Sequence, residues 1–342
     1  FRKIRQQLLS ENRFTKYLVY AIGEIILVVI GILIAVGINT QYNKIQNEKK
    51  IEAILRQVQK ELLIDIADAK RIFNVFIKKD SLARKIIDDK VTVEMFIENP
   101  RKFRITNNYV SFSNKKGGYK RIMANLEILP ERFNGILVPL NTLYVEFQND
   151  IDDYNSTIKN LTDDNSAQGY LNNPKHIDFL LGKFPEEGAS YFVNDPYFKN
   201  ITALYINRFS SITNAVNKYR IESVRLYKKI DSLLGKDKTK LPELLHVLPE
   251  KETIKPYIGI YKRIGETFGR DYPDVSVSLE KELLLINQHK DGERKLYWDS
   301  GPYFFERRGL IYKLYRNTKG QRVIEMSNGQ RNIILINKND LK

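Results

Sequence analysis

The chain has 342 residues, of which 56 are Lys or Arg and 41 are Asp or Glu, and its formal net charge at pH 7 is +15. This length is sufficient for two domains. The absence of cysteine excludes disulfides, thiolate nucleophiles and cysteine metal sites. The histidines His176, His246 and His289 are far apart and form no ligand-spaced pair, so we expect no metal site.

The most apolar stretch lies at residues 17–38 and reads YLVYAIGEIILVVIGILIAVGI, with Glu24 as its single charged residue. A helix of this length covers roughly 33 Å, and the hydrocarbon core of a bilayer is about 30 Å thick. The stretch therefore predicts one transmembrane helix. A cleaved signal peptide is the alternative, but the apolar run is longer than a signal peptide needs and no small-residue cleavage site follows it.

A basic flank at residues 1–16 precedes this helix. Positive charge holds a short flank in the cytoplasm, so we expect the N-terminus inside and the rest of the chain outside. An extracytoplasmic domain does not meet nucleic acid, and we expect no nucleic-acid partner in spite of the net charge. We expect the flank to contact membrane lipid at the inner leaflet, although a frayed flank that only sets topology is equally consistent. The lipid-contacting cations would be Arg2, Lys3, Arg5, Arg13 and Lys16.

Residues 39–235 have helical periodicity. Apolar residues recur at steps close to 3.6 from Ile51 onward, and two further coiled-coil-like seams begin near Leu140 and Tyr205. These seams predict an extracytoplasmic antiparallel helical bundle, with a rigid stalk if its first helix continues the transmembrane helix. Their many aromatic residues favour a core over a ligand pocket. Residues 162–196 are rich in Pro, Gly, Asn and acidic residues and predict an irregular insertion that faces a partner.

After a linker at residues 236–254, the periodicity changes to two. Short β-favouring runs recur through residues 255–342 between turn signals such as Asn328-Gly329. About eight such runs predict a small antiparallel β-barrel or a curved sheet. Its interior either holds a ligand or, as is usual at this size, is filled by its own side chains. The predicted fold class is thus an α+β membrane protein with one N-terminal transmembrane helix.

The segment RKIRQQLLSENRFTKYLVYAIGEIILVVIGILIAVGIN closely resembles the start of a large family of uncharacterised single-pass membrane proteins from Bacteroidota. The resemblance is specific over residues 2–35. It ends after Ala35, where family members continue with a Leu-Gln and an Asn-Asn-Trp-Asn run. The resemblance implies a bacterial inner membrane protein with a periplasmic domain and no known activity. The run Tyr257-x-Gly259-x-Tyr261 is similar to a small β-domain of some beta-lactamase-like hydrolases, and it brings no catalytic residues.

Four residues of the predicted transmembrane helix share one helical face: Glu24, Val28, Gly31 and Ala35. Gly31 and Ala35 are a small-residue pair that lets a second helix approach closely. A carboxylate at this depth usually faces protein or water, although a protonated or snorkelling Glu24 is the alternative. We hypothesise that this face contacts a transmembrane helix of a second copy or of another membrane protein.

The sequence contains no convincing catalytic motif. The run Ser113-Asn114-Lys115-Lys116 fits the loose S-x-x-K pattern, but the S-D-N and K-T-G partners of that pattern are missing. We therefore expect no catalytic residues, no cofactor and no enzymatic activity. The predicted function is protein–protein interaction by the periplasmic domains, in a homo-oligomer or as an accessory subunit of a larger membrane complex. The alternative is a periplasmic ligand sensor that signals through a membrane partner.

Overall fold

A computed structural model describes residues 6, 14–173, 175–235, 242–246, 249–265, 273–280, 283–287, 292–306, 309–327 and 332–341. Within these residues the fold is α+β, with a long apolar helix near the N-terminus, a helical region after it, and a closed eight-stranded antiparallel β-barrel at the C-terminal end. The predicted fold class is confirmed to this extent, and of the two predicted forms of the β-rich part the barrel is correct.

The first helix, α1 (Phe14–Ile87), has 74 residues and is roughly 110 Å long. Within the described residues it is the one helix long and apolar enough to cross a membrane. No proline interrupts it and no glycine follows Gly37 within it, so no residue that breaks helices separates its apolar half from its second half. From Ile51 onward its apolar side is buried in the core. The predicted transmembrane segment and the first helix of the helical region are therefore one element.

The other helices are short, apart from two. They are α2 (Val93–Glu98), α3 (Pro100–Phe103), α4 (Gly117–Met123), α5 (Leu137–Asn141), α6 (Gln148–Asn172), α7 (His176–Leu180), α8 (Glu186–Asn194), α9 (Pro196–Leu233) and α10 (Lys251–Ile254). Short 3₁₀ turns lie at Ile105–Asn107, Leu126–Ile128, Glu131–Ile136, Glu243–Leu245, Lys255–Tyr257 and Lys338–Asp340, and a π-helical segment, Thr142–Phe147, joins α5 to α6.

Helix α9 runs antiparallel to α1. Three side-chain hydrogen bonds establish this direction, because residue numbers fall along α9 as they rise along α1: Gln59 to Asp231, Asp65 to Tyr219, and Lys79 to Tyr205. The aromatic side chains Tyr144, Tyr205 and Tyr219 are fully buried between the helices. Most aromatic residues of the predicted seams therefore form core.

Helix α6 continues beyond its predicted end near Leu161 and reaches Asn172. The predicted irregular insertion at 162–196 is therefore shorter, and it contains α7 and α8. The polar residues that suggested a break are accommodated in two ways. Several point to solvent, whereas Asn165 is buried and donates a hydrogen bond from its Nδ2 to Thr106 Oγ1 at 3.0 Å. This hydrogen bond gives the buried amide of Asn165, which lies within the helix, a partner.

The barrel strands pair in chain order, and β8 pairs back with β1. They are β1 (Gly259–Ile264), β2 (Val275–Glu280), β3 (Leu283–Asn287), β4 (Glu293–Ser300), β5 (Tyr303–Phe305), β6 (Ile311–Arg316), β7 (Arg322–Ser327) and β8 (Asn332–Asn337). Buried side chains including Tyr261, Leu296, Tyr312 and Leu335 form one apolar cluster that fills the barrel. The barrel interior is therefore a core.

Part of the predicted linker at 236–254 is attached to the bundle. Leu245, in the turn Glu243–Leu245, packs against Ile66 of α1 and Val224 of α9. Residues 236–241 of the linker and the predicted hairpin signal at Asn328-Gly329 lie outside the described residues.

Candidate interaction surfaces

The four residues predicted to contact another transmembrane helix lie in α1, which places Glu24, Val28, Gly31 and Ala35 along one side of a continuous helix. Every side chain from residue 22 to residue 46 is exposed. A Cβ atom added at Gly31 meets no other atom within 4 Å. No described residue of this chain covers the face, so its contact with a second helix remains a prediction.

The same face continues past the predicted end of the transmembrane segment. Starting from Ala35, steps of three and four residues lead to Ile38, Tyr42 and Ile45, whose exposed fractions are 67%, 59% and 42%. At 3.6 residues per turn, these side chains lie roughly opposite the side of α1 that the bundle buries. We call the line from Glu24 to Ile45 the α1 seam, and the bundle leaves it open over its whole length.

The cations of the predicted lipid-binding flank are not placed. Arg2, Lys3, Arg5 and Arg13 lie outside the described residues, whereas the backbone of Lys16 belongs to the first turn of α1. Their contact with headgroups stays a prediction.

A buried ion pair joins the bundle to the outer wall of the barrel. Arg220 of α9 donates a hydrogen bond to Asp299 of β4, and the two side chains are 3% and 0% exposed. The Arg220 guanidinium also lies over the Phe305 ring, 5.1 Å from its centroid, and Phe305 in turn contacts Phe73 of α1 at a centroid distance of 5.9 Å. Burial lowers the pKa of Arg220, and the Asp299 carboxylate opposes that shift. We call this contact the bundle–barrel junction.

A second buried carboxylate anchors the segment before α4. Asp65 of α1 accepts hydrogen bonds from Tyr219 Oη at 2.7 Å and from the Lys115 amide at 3.1 and 3.2 Å. One turn earlier, Glu61 accepts a hydrogen bond from the Gly118 amide at 2.8 Å. Burial raises the pKa of Asp65 to about 7, although the hydrogen bonds from Tyr219 and Lys115 lower it. The carboxylate therefore titrates near neutral pH while it holds two elements together.

The buried carboxylates do not form a metal centre. Within the described part of the chain, no group of three or more His, Asp or Glu side chains lies close enough to hold a metal ion. A cavity of about 200 Å³ lies between α6 and α9. Its Asp150, Tyr154 and Lys218 side chains are exposed, so it is a surface depression and not an enclosed ligand site.

Sequence reasoning missed the extension of the α1 seam, the bundle–barrel junction and the Asp65 contact. The seam was detectable, because the spacing of three and four residues persists to Ile45. The bundle–barrel junction was not detectable from the sequence, because Arg220 and Asp299 are 79 residues apart and no local pattern shows that either residue is buried.

No protein-family model, no curated protein and no solved structure matches this chain.

Proposed function

We propose that this protein is a non-enzymatic, single-pass protein of a bacterial inner membrane that acts by binding other proteins. In this proposal residues 17–38 cross the bilayer, the basic flank lies in the cytoplasm, and the bundle and barrel lie in the periplasm. The apolar character and length of α1 support insertion. The cations before the helix and the resemblance to single-pass Bacteroidota proteins support the orientation and the compartment.

The observation that carries the proposal is the exposed α1 seam. Helix α1 buries one side in the bundle from Ile51 onward, but its seam has no cover among the described residues. In a membrane, helices associate through small residues that allow close approach, as Gly31 and Ala35 do, and through polar groups such as Glu24. The seam therefore supports association with a transmembrane helix of a second copy or of another membrane protein.

The test compares two glycines of the same helix. Gly31 lies on the seam, whereas Gly37, six residues later, lies about 120° away around α1. An added Cβ meets nothing within 4 Å at either position. We expect Gly31→Leu to weaken association by about 5- to 30-fold, the equivalent of about 1–2 kcal/mol. We expect Gly37→Leu to have no effect. Association is measured by cross-linking in native membranes and by the proteins that co-purify in mild detergent. Equal behaviour of the two variants would contradict the proposal.

Orientation is tested separately by cysteine labelling, because the chain has no cysteine of its own. Ser81→Cys in α1 should react with a membrane-impermeant maleimide once the outer membrane is opened. Ser10→Cys in the basic flank should react only after the inner membrane is lysed. The reverse pattern would show that the bundle and barrel lie in the cytoplasm.

A further inference from the structure

On the C-terminal side of the α1 seam, the exposed side of α1 is rich in Lys and Arg. Apart from Lys50, the exposed positions from residue 49 to residue 85 follow steps of three and four residues, and none of them is acidic. This line extends roughly 54 Å along the helix. We call it the basic stripe, and it consists of Lys49, Ala53, Arg56, Lys60, Ile64, Ala67, Arg71, Asn74, Lys78, Ser81 and Lys85.

The acidic residues of this part of α1 lie off the stripe, and most of them are engaged by the rest of the fold. Glu48 and Glu52 bind Arg132, and Asp80 binds Arg84. Glu61 accepts a hydrogen bond from an amide of α4, and Asp65 accepts hydrogen bonds from the segment before α4 and from α9. Positive charge is thereby segregated on the outward side of α1.

Four of the six stripe cations have no ion-pair partner in the part of the chain that the structure describes. Within the described residues no ion pair forms at the four lysines, which are Lys49, Lys60, Lys78 and Lys85. Arg56 and Arg71 each pair with an acidic neighbour on α1, at 3.7 and 2.7 Å, but both arginines stay about half exposed and such pairs are weak. The stripe therefore presents uncompensated positive charge to solvent.

The neighbouring segment adds cations at the level of Arg56 and Lys60. Arg121 donates a hydrogen bond from Nη1 to Gln57 Oε1 at 2.5 Å, and the Gly118 amide is held by Glu61. These contacts fix the run Lys115-Lys116-Gly117-Gly118-Tyr119-Lys120-Arg121 beside α1. The basic surface is broadest there.

The side chains of the stripe, their size, charge and spacing, indicate what kind of partner it binds. Small side chains at Ala53, Ala67 and Ser81 allow the backbone of a partner to approach. Lys49 and Arg56 are seven residues apart, as are Arg71, Lys78 and Lys85 in turn, and seven residues span about 10.5 Å of helix. Acidic side chains at heptad spacing on a second helix repeat at the same interval. A second copy does not fit, because two basic stripes repel each other. The stripe continues the axis of the proposed transmembrane helix, so it does not lie flat on that membrane.

We propose that the basic stripe binds an acidic α-helix of a different protein, aligned along α1. This inference rests on the proposed role in protein interaction, but it concerns a surface separate from the α1 seam. The partner identified by this chemistry is a helix whose Glu or Asp side chains recur at heptad spacing on one face.

The full-length protein in mild detergent is titrated with a labelled synthetic peptide of repeated Glu-Ala-Ala-Glu-Ala-Ala-Ala units, and binding is followed by fluorescence anisotropy. The variant Lys60→Glu/Lys78→Glu reverses two charges on the stripe. The control Lys262→Glu/Lys295→Glu makes the same change in net charge on exposed barrel residues. We expect the stripe variant to bind the peptide at least about tenfold more weakly and the control to bind within about twofold of the parent protein.

Two outcomes would overturn the inference. One is equal weakening by the stripe and barrel variants, which would show attraction by net charge alone. The other is tighter, Lys60- and Lys78-dependent binding of dextran sulfate or of phosphatidylglycerol vesicles than of the peptide, which would make the ligand a polyanion or a membrane. Gly31→Leu separates the two proposals, because it should weaken association through the α1 seam and leave peptide binding unchanged.

Discussion

Substituting Asp299 by Asn tests the bundle–barrel junction directly. Asp299 and Arg220 are 0% and 3% exposed, so the substitution leaves the Arg220 guanidinium charged in a site that water does not reach. Burial already lowers the pKa of Arg220, and the Asp299 carboxylate is what favours its charged form. Removing one partner of a buried pair costs about 3–5 kcal/mol. We expect Asp299→Asn to lower the free energy of unfolding by this amount.

Replacing both partners should cost much less. In Arg220→Met/Asp299→Leu no charge remains to be desolvated, and apolar replacements of buried pairs are often neutral or stabilising. The nearby rings of Phe305 and Phe73 already provide an apolar surface on which the new side chains can pack. We expect the double variant to lie within about 1 kcal/mol of the parent protein.

Trp298 provides the assay, because it is the single tryptophan of the chain and precedes Asp299. Its Nε1 donates to the Gly301 carbonyl at 3.0 Å, and Lys70 of α1 lies 5.8 Å from its ring. Its fluorescence in a urea titration therefore reports on the junction. Asp274→Asn is the control, because its pair with Lys338 is exposed, at 42% and 49%, and should contribute at most about 1 kcal/mol. A loss of unfolding free energy for Asp299→Asn no larger than that of Asp274→Asn would show that the buried pair does not stabilise the fold.

Two further predictions concern α1 and its neighbours. Burial raises the pKa of Asp65 from 3.8 to about 7, so the folded state holds a proton that the unfolded state has lost, and stability should fall as pH rises from about 4 to 7. Thermal unfolding should show a shallower slope for Asp65→Asn in this window, and equal slopes would contradict the assignment. Gly118→Ala should lose about 1–3 kcal/mol in urea unfolding, because its Cβ would lie 2.7 Å from Val58 Cγ2. At Gly169 an added Cβ meets nothing within 4 Å, so Gly169→Ala should raise the free energy of unfolding by about 0.5–1 kcal/mol. A decrease for Gly169→Ala would contradict the assignment of the Gly118 effect to crowding.

The long helices were predictable because their apolar residues recur at the helical period over many turns. The continuity of α1 followed from the lack of Pro and Gly between residues 38 and 51. The end of α6 was not predictable, because local composition at residues 162–172 favours a turn. The hydrogen bond between Asn165 and Thr106, which are 59 residues apart, helps to satisfy the polar side chains inside the bundle. Tertiary contact here overrides local preference.

Alternation of apolar and polar residues predicted the strands but did not decide whether the sheet closes. Closure depends on pairing between β1 and β8, for example Tyr261 with Asn337, and no local signal specifies a pairing across so many residues.

Of the candidate surfaces, one could be predicted from local spacing and another depends on the tertiary structure. Gly31 and Ala35 were predicted from their spacing alone, because residues four apart share one face of any helix. The basic stripe was not found, because Lys60 and Lys78 differ from Lys79 only in the side of α1 on which they lie. Lys79 points inward, donates to the Ile105 carbonyl at 2.8 Å and has its pKa lowered by burial to about 8. Exposure, which only the folded chain specifies, distinguishes a binding surface from a core.

The antiparallel pairing of α1 with α9 has a consequence for biosynthesis. Asp65 and its partner Tyr219 are 154 residues apart. At a synthesis rate of about 5–20 residues per second, roughly 8–30 s pass between the emergence of the two residues from the ribosome. Throughout that interval the apolar side of α1 beyond Ile51 has no α9 to cover it. The nascent chain therefore exposes an apolar, aggregation-prone side of α1 until α9 has been synthesised.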